Sequence, residues 1–464
     1  MRRTRIVATI GPACESPEML DRLLAAGMDV ARLNASHAGP GELDARLLAV
    51  REAEERAGRP VAVMLDLGGP KVRVGDVGEG TVLVAGTRFD LVAGECPGSA
   101  TQACVTYADL ASDLTAGDRV LIDDGRIALV VESTAPGRVS TRVETGGPLS
   151  SRKGVNVPGV TLAVDAITAK DAADLAWGLA AGVDLVAMSF VREPGDLDRL
   201  RALMGERRLP IVAKIEKHEA VERLGSIVEV ADAIMVARGD LGVETSPERV
   251  PLVQRRIITA CRDRGVPVIV ATQMLESMVS APRPTRAEAS DVANAIFERV
   301  DAVMLSGETA VGAHPVEAVE TMARIAAAAE EEFTPAGPLP SRGGSVTEAV
   351  SAAACELAAD LRLAAIVTAT ESGATSRAVA RHRPSTPVLA LTPDPRVARA
   401  LMLVWGVTPR VVAPSDSVEH MAALAAKAAA EYGLARSGDL IALTAGVTVN
   451  RPGTTNLVEV IPVP

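Results

Sequence analysis

The segment VARLNASH carries three polar side chains two residues apart, Arg32, Asn34 and Ser36. Because side chains alternate between the two faces of a β-strand, this spacing puts all three on one face. In the segment IVAKIEK, the same spacing aligns Lys214 with Glu216. A strand that is buried on both sides should not carry a cation without a partner. These strand ends are therefore the first candidates for a site that binds a charged ligand.

Three further apolar runs end at or near Asp66, Asp240 and Thr272. Two cations, two carboxylates with oxygens suited to a metal and one hydroxyl at strand ends favour a site for a phosphorylated anion with a divalent metal. Mg²⁺ commonly binds one or two carboxylates plus substrate oxygens, which Glu216 and Asp240 would supply. Alternatively, each charge only caps a strand end through an ion pair. That alternative explains any single residue but not all of them together.

Eight short apolar runs, each followed by a stretch with helical periodicity, indicate parallel β/α units. Eight such units close a TIM barrel, whose active site lies at the carboxyl ends of the strands. The predicted fold class is therefore α/β, with a (β/α)8 barrel as its main domain. The runs cover residues 5–10, 28–34, 61–66, 184–190, 211–216, 233–238, 267–272 and 302–306.

More than a hundred residues separate the third run from the fourth, and Gly- and Asp-rich turns there divide short Val, Leu and Thr runs. This pattern predicts an inserted small β domain. Residues 334–345 are dense in Pro, Gly and Ser and read as a linker to a separate C-terminal α/β domain. The predicted division is barrel 1–71, inserted β lid 72–155, barrel 156–335 and C-terminal domain 336–464.

Composition argues against several classes of protein. A net charge of −11 and 2% aromatic residues disfavour binding to nucleic acid, which needs a positive field and stacking side chains. No apolar window approaches about 20 residues, so no membrane span is expected. Five scattered cysteines without C-x-x-C spacing suggest reduced thiols, and the short apolar start does not fit a signal peptide. We therefore expect a cytoplasmic protein.

Several long segments of the sequence are distinctive. They are TRIVATIGPA, MDVARLNASH, DLGGPKVR, SRKGVNVPG, AKIEKHEAV, IMVARGDLGVE, VIVATQMLESM, PRPTRAEASDVANAIFE, VMLSGETAVGAHPVEAV and the terminal IPVP. On these segments, the chain resembles pyruvate kinase from end to end. The resemblance implies a (β/α)8 domain, a β-barrel lid, a C-terminal regulatory domain and a homotetramer. It also implies transfer of a phosphoryl group from phosphoenolpyruvate to ADP, giving pyruvate and ATP as the final step of glycolysis.

The resemblance assigns roles to the strand-end residues. Lys214 matches the family's transition-state lysine, and Arg32 matches its phosphate-binding arginine. Glu216 and Asp240 match the ligands of Mg²⁺ or Mn²⁺. Thr272 matches the hydroxyl near the methylene carbon of the substrate. These five residues would form the catalytic and metal-binding centre.

Two further sets follow from the resemblance. The backbone N–H groups around Gly239 and Asp240 would cradle the substrate anion, as helix N-termini do. The nucleotide would meet residues on the barrel and on the two hinges of the lid, so that closing the lid brings cations onto the ADP phosphates. This nucleotide-binding set consists of Asn34, Ala35, Ser36, His37, Arg73 and Lys153. An ordinary exposed hinge lysine is the alternative for Lys153.

The third strand departs from the family's pattern. Members that need K⁺ usually read D-T-K-G-P-E there, whereas this chain reads DLGGPK and ends on Lys71. A lysine ammonium could supply the positive charge that K⁺ otherwise brings, so we expect K⁺ not to be required. The alternative is that Lys71 points to solvent and the ion binds as usual. The family's monovalent-cation positions are Asn34, Ser36, Asp66 and Leu67.

A loop in the C-terminal domain resembles the family's effector site. The segment TESGATSR would form a phosphate nest, with an ordinary helix N-cap as the alternative. Glu371 places a negative charge where bisphosphate-activated members often have a neutral or basic residue. A sugar monophosphate or a nucleotide is therefore the expected effector. The loop residues are Thr370, Ser372, Gly373, Thr375 and Ser376.

Two other classes of function compete with the kinase. A metal-dependent barrel lyase acting on an enolpyruvate would share Glu216 and Asp240, but it has no use for Arg73 and Lys153 on a lid. A silent regulatory protein of the same fold would be expected to have lost at least one catalytic residue, and all five are present.

Overall fold

The computed structural model describes residues 2–332, 345–446 and 455–464. The chain begins with three β/α units. Helix α1 starts at the N-cap Ser16, whose side chain accepts from the Met19 N–H, and stops at Gly27, which has a φ of 118°. A left-handed glycine of this kind ends a helix without steric cost. The elements are β1 (Arg5–Thr9), α1 (Pro17–Ala26), β2 (Val30–Asn34), α2 (Pro40–Ala57) and β3 (Ala62–Asp66).

A β-rich unit follows β3. Its main sheet has six strands in the order β11-β7-β8-β9-β5-β6, and β10 pairs with β4 beside it. Its apolar core is centred on Phe89 and is separate from the barrel core. The elements are β4 (Val82–Leu83), β5 (Arg88–Ala93), β6 (Gln102–Val105), α3 (Leu110–Asp113), β7 (Arg119–Ile122), β8 (Ile127–Ala135), β9 (Arg138–Thr145), β10 (Gly147–Pro148) and β11 (Val155–Asn156).

Five more β/α units then complete the first fold unit. The strands are β12 (Leu185–Met188), β13 (Ile211–Ile215), β14 (Ala233–Ala237), β15 (Val268–Ala271) and β16 (Ala302–Leu305). The helices are α4 (Ala169–Ala181), α5 (Pro194–Met204), α6 (His218–Glu222), α7 (Leu224–Val230), α8 (Arg238–Glu244), α9 (Val250–Arg264), α10 (Arg286–Phe297), α11 (Gly307–Ala310) and α12 (Pro315–Glu331). Short 3-10 turns occupy Pro247–Arg249 and Glu276–Val279.

The eight strands β1–β3 and β12–β16 form a closed, all-parallel barrel in the order β1-β16-β15-β14-β13-β12-β3-β2. Nearly every strand residue is buried, because the strands face the barrel interior on one side and the helices on the other. The eight apolar runs in the sequence each contain one of these strands. The (β/α)8 prediction is thus confirmed.

The C-terminal part is a second α/β unit. Its sheet has the order β19-β18-β17-β20-β21, parallel except for β21. The elements are α13 (Val346–Asp360), β17 (Ala365–Ala369), α14 (Ala374–Ala380), β18 (Val388–Thr392), α15 (Pro395–Ala400), a 3-10 turn (Leu401–Leu403), β19 (Val407–Val411), α16 (Val418–Glu431), β20 (Leu440–Gly446) and β21 (Thr455–Pro462). The predicted linker, 334–345, lies outside the described residues except for Ser345.

Two connecting segments join the barrel to the β-rich unit, and their backbones are hydrogen-bonded to each other. The Val74 N–H donates to the Lys153 carbonyl at 2.8 Å, and the Val155 N–H donates to the Val72 carbonyl at 2.8 Å. Entry and exit of the inserted unit therefore lie side by side, next to the carboxyl end of β3. In the described part of the chain, no helix is long and apolar enough to cross a membrane.

Candidate active site

A buried carboxylate joins two cations at the carboxyl end of the barrel. Asp66 ends β3 and accepts from Arg32 Nε at 2.7 Å and from Lys214 Nζ at 3.2 Å. Arg32 also donates to the Thr9 hydroxyl at 3.0 Å. The side chain of Asp66 is 1% exposed, so this network is nearly shielded from water. The structure thus brings together three residues that the sequence placed on separate strands.

The opposite charges in this network shift the pKa values of Asp66 and Lys214 toward their charged forms. Burial by itself raises the pKa of Asp66, but the charges of Lys214 and Arg32 outweigh it and hold the pKa below its usual range. For Lys214, burial lowers the pKa, and the carboxylates of Asp66 and Glu216 more than reverse that effect. The lysine is therefore an ammonium group in the apo site, with its positive charge directed at the centre of the rim.

Glu216 follows β13 and extends the network. One carboxylate oxygen lies 3.0 Å from Lys214 Nζ, and the other accepts from the Phe190 N–H at 2.8 Å. Burial raises the pKa of Glu216; Lys214 opposes this shift, and the negative charge of Asp240 adds to it. The negative charges of Glu216 and Asp240 thus lie close enough to repel each other.

Two repelling carboxylates suit a divalent cation. Mg²⁺ needs only one or two protein carboxylates when substrate and water supply its other oxygens. Among the described residues, no group of three or more His, Cys, Asp or Glu side chains could hold a metal. The donor set of Glu216 and Asp240 therefore fits Mg²⁺ or Mn²⁺ that shares its coordination with a ligand.

Thr272 follows β15 in a strained conformation, with a φ of 68°. Positive φ is unusual for a β-branched residue and is found mainly at functional sites. Its hydroxyl donates to the Ala271 carbonyl at 2.6 Å and accepts from the Gly239 N–H at 2.8 Å. Arg238 holds the strained backbone by donating from Nη2 to the Thr272 carbonyl at 2.8 Å. The Gly239 N–H, predicted to face the substrate, contacts this hydroxyl in the structure.

Lys71 lies inside the site. Its Nζ is 2.8 Å from Asp240 Oδ1, and 25% of its side chain is exposed. A Cβ built on Gly154 would come within 2.8 Å of Lys71 Cε, so the glycine leaves room for the lysine. The alternative that Lys71 points to solvent is therefore wrong. Its ammonium group contacts the predicted metal ligand Asp240, and its charge also acts on His37.

The predicted K⁺ positions are partly engaged with the protein itself. Asn34 Oδ1 accepts from the Ser36 N–H at 3.1 Å, and the Ala35 N–H donates to the Asp66 carbonyl at 3.0 Å. The Leu67 carbonyl accepts from the Ser189 hydroxyl at 2.7 Å. Residues 34–36 thus form a compact turn that is hydrogen-bonded to the end of β3.

Cations surround the predicted nucleotide-binding set. Burial, followed by the charges of Arg73, Arg32 and Lys71, lowers the pKa of His37, which places all three cations near this imidazole. Arg73 also donates to the Arg152 carbonyl at 3.0 Å. Lys153 instead pairs with Asp123 of the inserted unit at 2.8 Å. The side chain of Arg73 thus contacts the inserted unit while its charge acts on His37, and Lys153 is held by the inserted unit.

The predicted effector loop forms a turn between β17 and α14. The Thr370 hydroxyl accepts from the Gly373 N–H at 2.9 Å, while Ser372 is exposed. Two other hydroxyls are already paired: Ser376 is fully buried and 2.7 Å from Thr368 Oγ1, and Thr375 is 2.6 Å from Thr455 Oγ1. Thr370, Ser372 and Gly373 therefore line the turn itself, whereas Thr375 and Ser376 face the domain interior.

Three residues important to the site were missed in the sequence. Ser189 accepts from Lys214 Nζ at 2.7 Å, Arg238 supports Thr272, and Asp171 accepts from the Gly69 N–H at 3.0 Å. Ser189 and Arg238 both stand at the ends of predicted strands, so the polar-end rule that selected Asp66 could have found them. Asp171 carried no such signal, because it lies in the first turn of α4.

Asp66→Asn should lower the free energy of unfolding by about 3–5 kcal/mol, because Arg32 and Lys214 lose the negative charge that they share in a buried site. Chemical denaturation followed by circular dichroism measures this loss. Asp21→Asn is the control, since its ion pair with Arg56 is exposed and its removal should have little effect. Equal effects of the two substitutions would contradict the central role of Asp66.

Comparison with known proteins gives a consistent result. Residues 1–319 match the family described as pyruvate kinase, barrel domain, and residues 348–461 match pyruvate kinase, alpha/beta domain. The chain is 43% identical to pyruvate kinase of Clostridium acetobutylicum over 99% of both chains. It is 45% identical to that of Methylorubrum extorquens over 99% of this chain and 97% of the relative. A crystal structure of a pyruvate kinase from Cryptosporidium parvum superposes with a TM-score of 0.94 at 35% identity, covering 100% of this chain and 96% of the other. The chain belongs to the pyruvate kinase family.

Proposed function

We propose that this protein transfers the phosphoryl group of phosphoenolpyruvate to ADP, giving pyruvate and ATP. The observation that carries this proposal is the buried network of Arg32, Asp66, Lys214 and Glu216 at the barrel rim, with Lys71 and Arg73 beside it. Such a site supplies cations for a phosphorylated anion on one side and for nucleotide phosphates on the other. The two substrates would therefore meet between the barrel and the inserted unit.

Cations fixed beside the transferring group perform the main electrostatic task. The transition state spreads negative charge over the equatorial oxygens of the phosphoryl group. The Lys214 ammonium is held by Asp66, Glu216 and Ser189, so it needs no reorganisation when this charge develops. Arg32, anchored on Asp66, would bind the phosphate of the incoming substrate.

Glu216 and Asp240 would hold the divalent metal, Mg²⁺ or Mn²⁺. When bound, the metal neutralises anionic oxygens of the substrate and of the enolate product. The Phe190 N–H fixes one oxygen of Glu216, so this carboxylate has a set orientation before any ligand binds. Lys71 contacts Asp240 and limits the negative charge of the pair in the apo protein.

After transfer, the enolate must take a proton on carbon. Thr272 would position this proton delivery, because its strained backbone aims the hydroxyl toward Gly239 at the substrate end of the rim. The nucleotide would lie against Asn34–His37, Arg73 and Lys153, and closure of the inserted unit would exclude water. The lowered pKa of His37 favours a neutral imidazole at pH 7, which can donate a hydrogen bond without adding charge.

We also propose that the enzyme acts in the cytoplasm as a homotetramer. Size-exclusion chromatography with light scattering tests the assembly.

The reaction itself is tested by a coupled assay for pyruvate formed from phosphoenolpyruvate, with and without ADP. A kinase forms pyruvate only with ADP, whereas a barrel lyase would consume phosphoenolpyruvate without it. A silent regulatory protein would do neither.

Lys214→Ala should lower kcat by a factor on the order of hundreds or more and change KM for phosphoenolpyruvate much less. The ammonium acts most strongly where charge develops, so its loss affects the transition state more than the bound substrate. Steady-state kinetics with saturating Mg²⁺ measure both constants. Lys427→Ala is the matched control, because Lys427 is 71% exposed on α16. Near-normal turnover of Lys214→Ala would refute the assignment.

The enzyme should be substantially active in sodium or tetramethylammonium buffers free of K⁺, because Lys71 supplies a fixed positive charge within the site. Lys71→Glu should depend on K⁺, since it replaces that charge with a carboxylate. Lys71→Gln is the intermediate control and should gain a smaller K⁺ stimulation. The assay is initial rate against KCl at constant ionic strength. A wild-type enzyme that is inactive until K⁺ is added would show that Lys71 does not replace the ion.

Fructose 1,6-bisphosphate should activate the enzyme weakly or not at all, because Glu371 adds a negative charge to the Thr370–Gly373 turn. A monophosphate such as AMP, ribose 5-phosphate or glucose 6-phosphate is the better candidate effector. Saturation curves for phosphoenolpyruvate with each compound measure the effect, and Thr370→Ala should weaken any response. Strong activation by micromolar bisphosphate would contradict this expectation.

A further inference from the structure

A second charged cavity lies at the opposite end of the barrel, where the barrel meets the C-terminal domain. The barrel contributes Arg262 from the end of α9 and Asp301 from just before β16. The C-terminal domain contributes Arg377 from α14, and Arg381 and Arg383 from the segment that follows it. We refer to Arg262, Arg377, Arg381 and Arg383 as the arginine cluster. It is remote from the candidate active site, which lies at the carboxyl ends of the strands.

Positive charge exceeds negative charge around this cavity. Among its lining residues, Asp301 is the single carboxylate facing the four arginines. Asp301 is already engaged, because its oxygens accept from Arg383 Nη2 at 2.8 Å and from the N–H groups of Val268 and Trp405 at 3.1 Å. Outside the lining, Glu348 accepts from Arg381 Nη1 at 2.9 Å. Asp263 and Asp232 also act electrostatically on Arg262 and Arg377 from outside the lining. Among the lining residues, four arginines thus face one carboxylate.

Several guanidinium N–H groups of the cluster have no acceptor. The Nε atoms of Arg262, Arg381 and Arg383 and the Nη2 atom of Arg381 are buried without a hydrogen-bond partner in the described part of the chain. The side chains of Arg381 and Arg383 are only 4% and 3% exposed. Buried donors are almost always paired, and each unpaired donor costs free energy. Four such donors in one place indicate an acceptor that the described residues do not supply.

Neighbouring groups also respond to the excess of positive charge. Burial and then the charge of Arg383 lower the pKa of Arg262. Burial, Arg262 and Arg383 together lower the pKa of Arg299. Burial and Arg381 lower the pKa of His382 to about 4, so this imidazole is neutral at pH 7. Burial is the largest cause of each shift, and the charges of the neighbouring arginines add to it.

The C-terminal ends of two helices explain part of the clustering of arginines at this cavity. Helix α9 ends at Arg264 and α14 ends at Ala380, and helix C-termini favour cations. Arg383 Nη1 does donate to the Ala380 carbonyl at 2.9 Å. These carbonyls explain why arginines gather here. They do not supply acceptors for the Nε atoms of Arg262, Arg381 and Arg383.

We propose that the arginine cluster binds one tetrahedral oxyanion of the size and charge of inorganic phosphate. Guanidinium groups match oxyanions because their planar N–H donors can bond two oxygens at once. The cavity has a volume of about 10 Å³, which is room for about one water. A phosphate ion is larger than this space, so its binding requires the partly exposed side chain of Arg377 to move outward while Arg262, Arg381 and Arg383 stay in place.

The bound oxyanion joins two domains, since Arg262 belongs to the barrel and Arg381 to the C-terminal domain. A ligand that binds only the folded, docked arrangement stabilises that arrangement by mass action. The contact also reaches α14, which begins directly after the Thr370–Gly373 turn. The oxyanion is therefore placed to strengthen the contact between the barrel and the domain that carries the predicted effector loop.

The test is calorimetric titration of the full-length protein with inorganic phosphate at constant ionic strength. Phosphate can also enter the active site and the effector loop, but those sites are the same in wild type and in Arg262→Gln. Wild type should bind one more phosphate per chain than Arg262→Gln, or bind it about tenfold more tightly or better. Arg381→Gln should show the same loss, and Arg22→Gln, whose side chain is 57% exposed on α1, should not.

Thermal unfolding gives a second readout that a merely structural arginine would not produce. Phosphate should raise the unfolding midpoint of wild type by on the order of 2 °C more than that of Arg262→Gln. Without phosphate, Arg262→Gln should be as stable as wild type or more stable, because one repelling charge is gone. An identical phosphate response in both proteins would overturn the proposal. So would an equal effect of sodium chloride, which would assign the site to a monatomic anion.

Discussion

The carboxylate of Asp66 is the interaction on which the rest of the rim depends. Asp66 pairs in the sheet with Ala187 of the neighbouring β12 and Asn34 of the neighbouring β2, so its position is set by the strands on both sides. Because Asp66 is buried, it is a shared acceptor for Arg32 and Lys214. The two cations are therefore directed to one point, and Glu216 extends the same network toward Asp240. Without the shared carboxylate, two buried cations would repel each other and turn toward solvent.

The insertion between β3 and β12 is anchored to this same network. Gly69 has a φ of 67°, and a Cβ there would come within 2.7 Å of the Phe190 ring. The N–H of Phe190 orients Glu216, and the neighbouring Ser189 contacts both Leu67 and Lys214. The hinge of the inserted unit thus packs directly on the residues that position the cations. One residue, Phe190, therefore links the hinge at Gly69 to the carboxylate of Glu216.

Periodicity predicted the barrel and the strand-end residues because both follow from local rules. A period of two predicts that Lys214 and Glu216 share one face of their strand, and a parallel barrel brings them to the same rim as Arg32. The meeting of Lys71 with Asp240 could not be predicted in this way. It depends on how the chain bends at Gly69 and on the space left by Gly154, which are close contacts between segments far apart in sequence. Ser376 was predicted to belong to the effector loop, but its burial was not predicted, because it depends on the contact with Thr368 on the preceding strand.

Positive charges are paired with carboxylates to different extents at the two ends of the barrel. At the carboxyl end, Arg32, Lys214 and Lys71 each contact a carboxylate, so the apo rim is close to balanced and a substrate anion must compete with Asp66 and Asp240. At the amino end, the arginine cluster shares Asp301 and Glu348 and retains unpaired donors. A balanced site can exchange ligands rapidly because it is stable when empty. An unbalanced one gains most from an anion that stays bound, which suits a role in holding two domains together rather than in turnover.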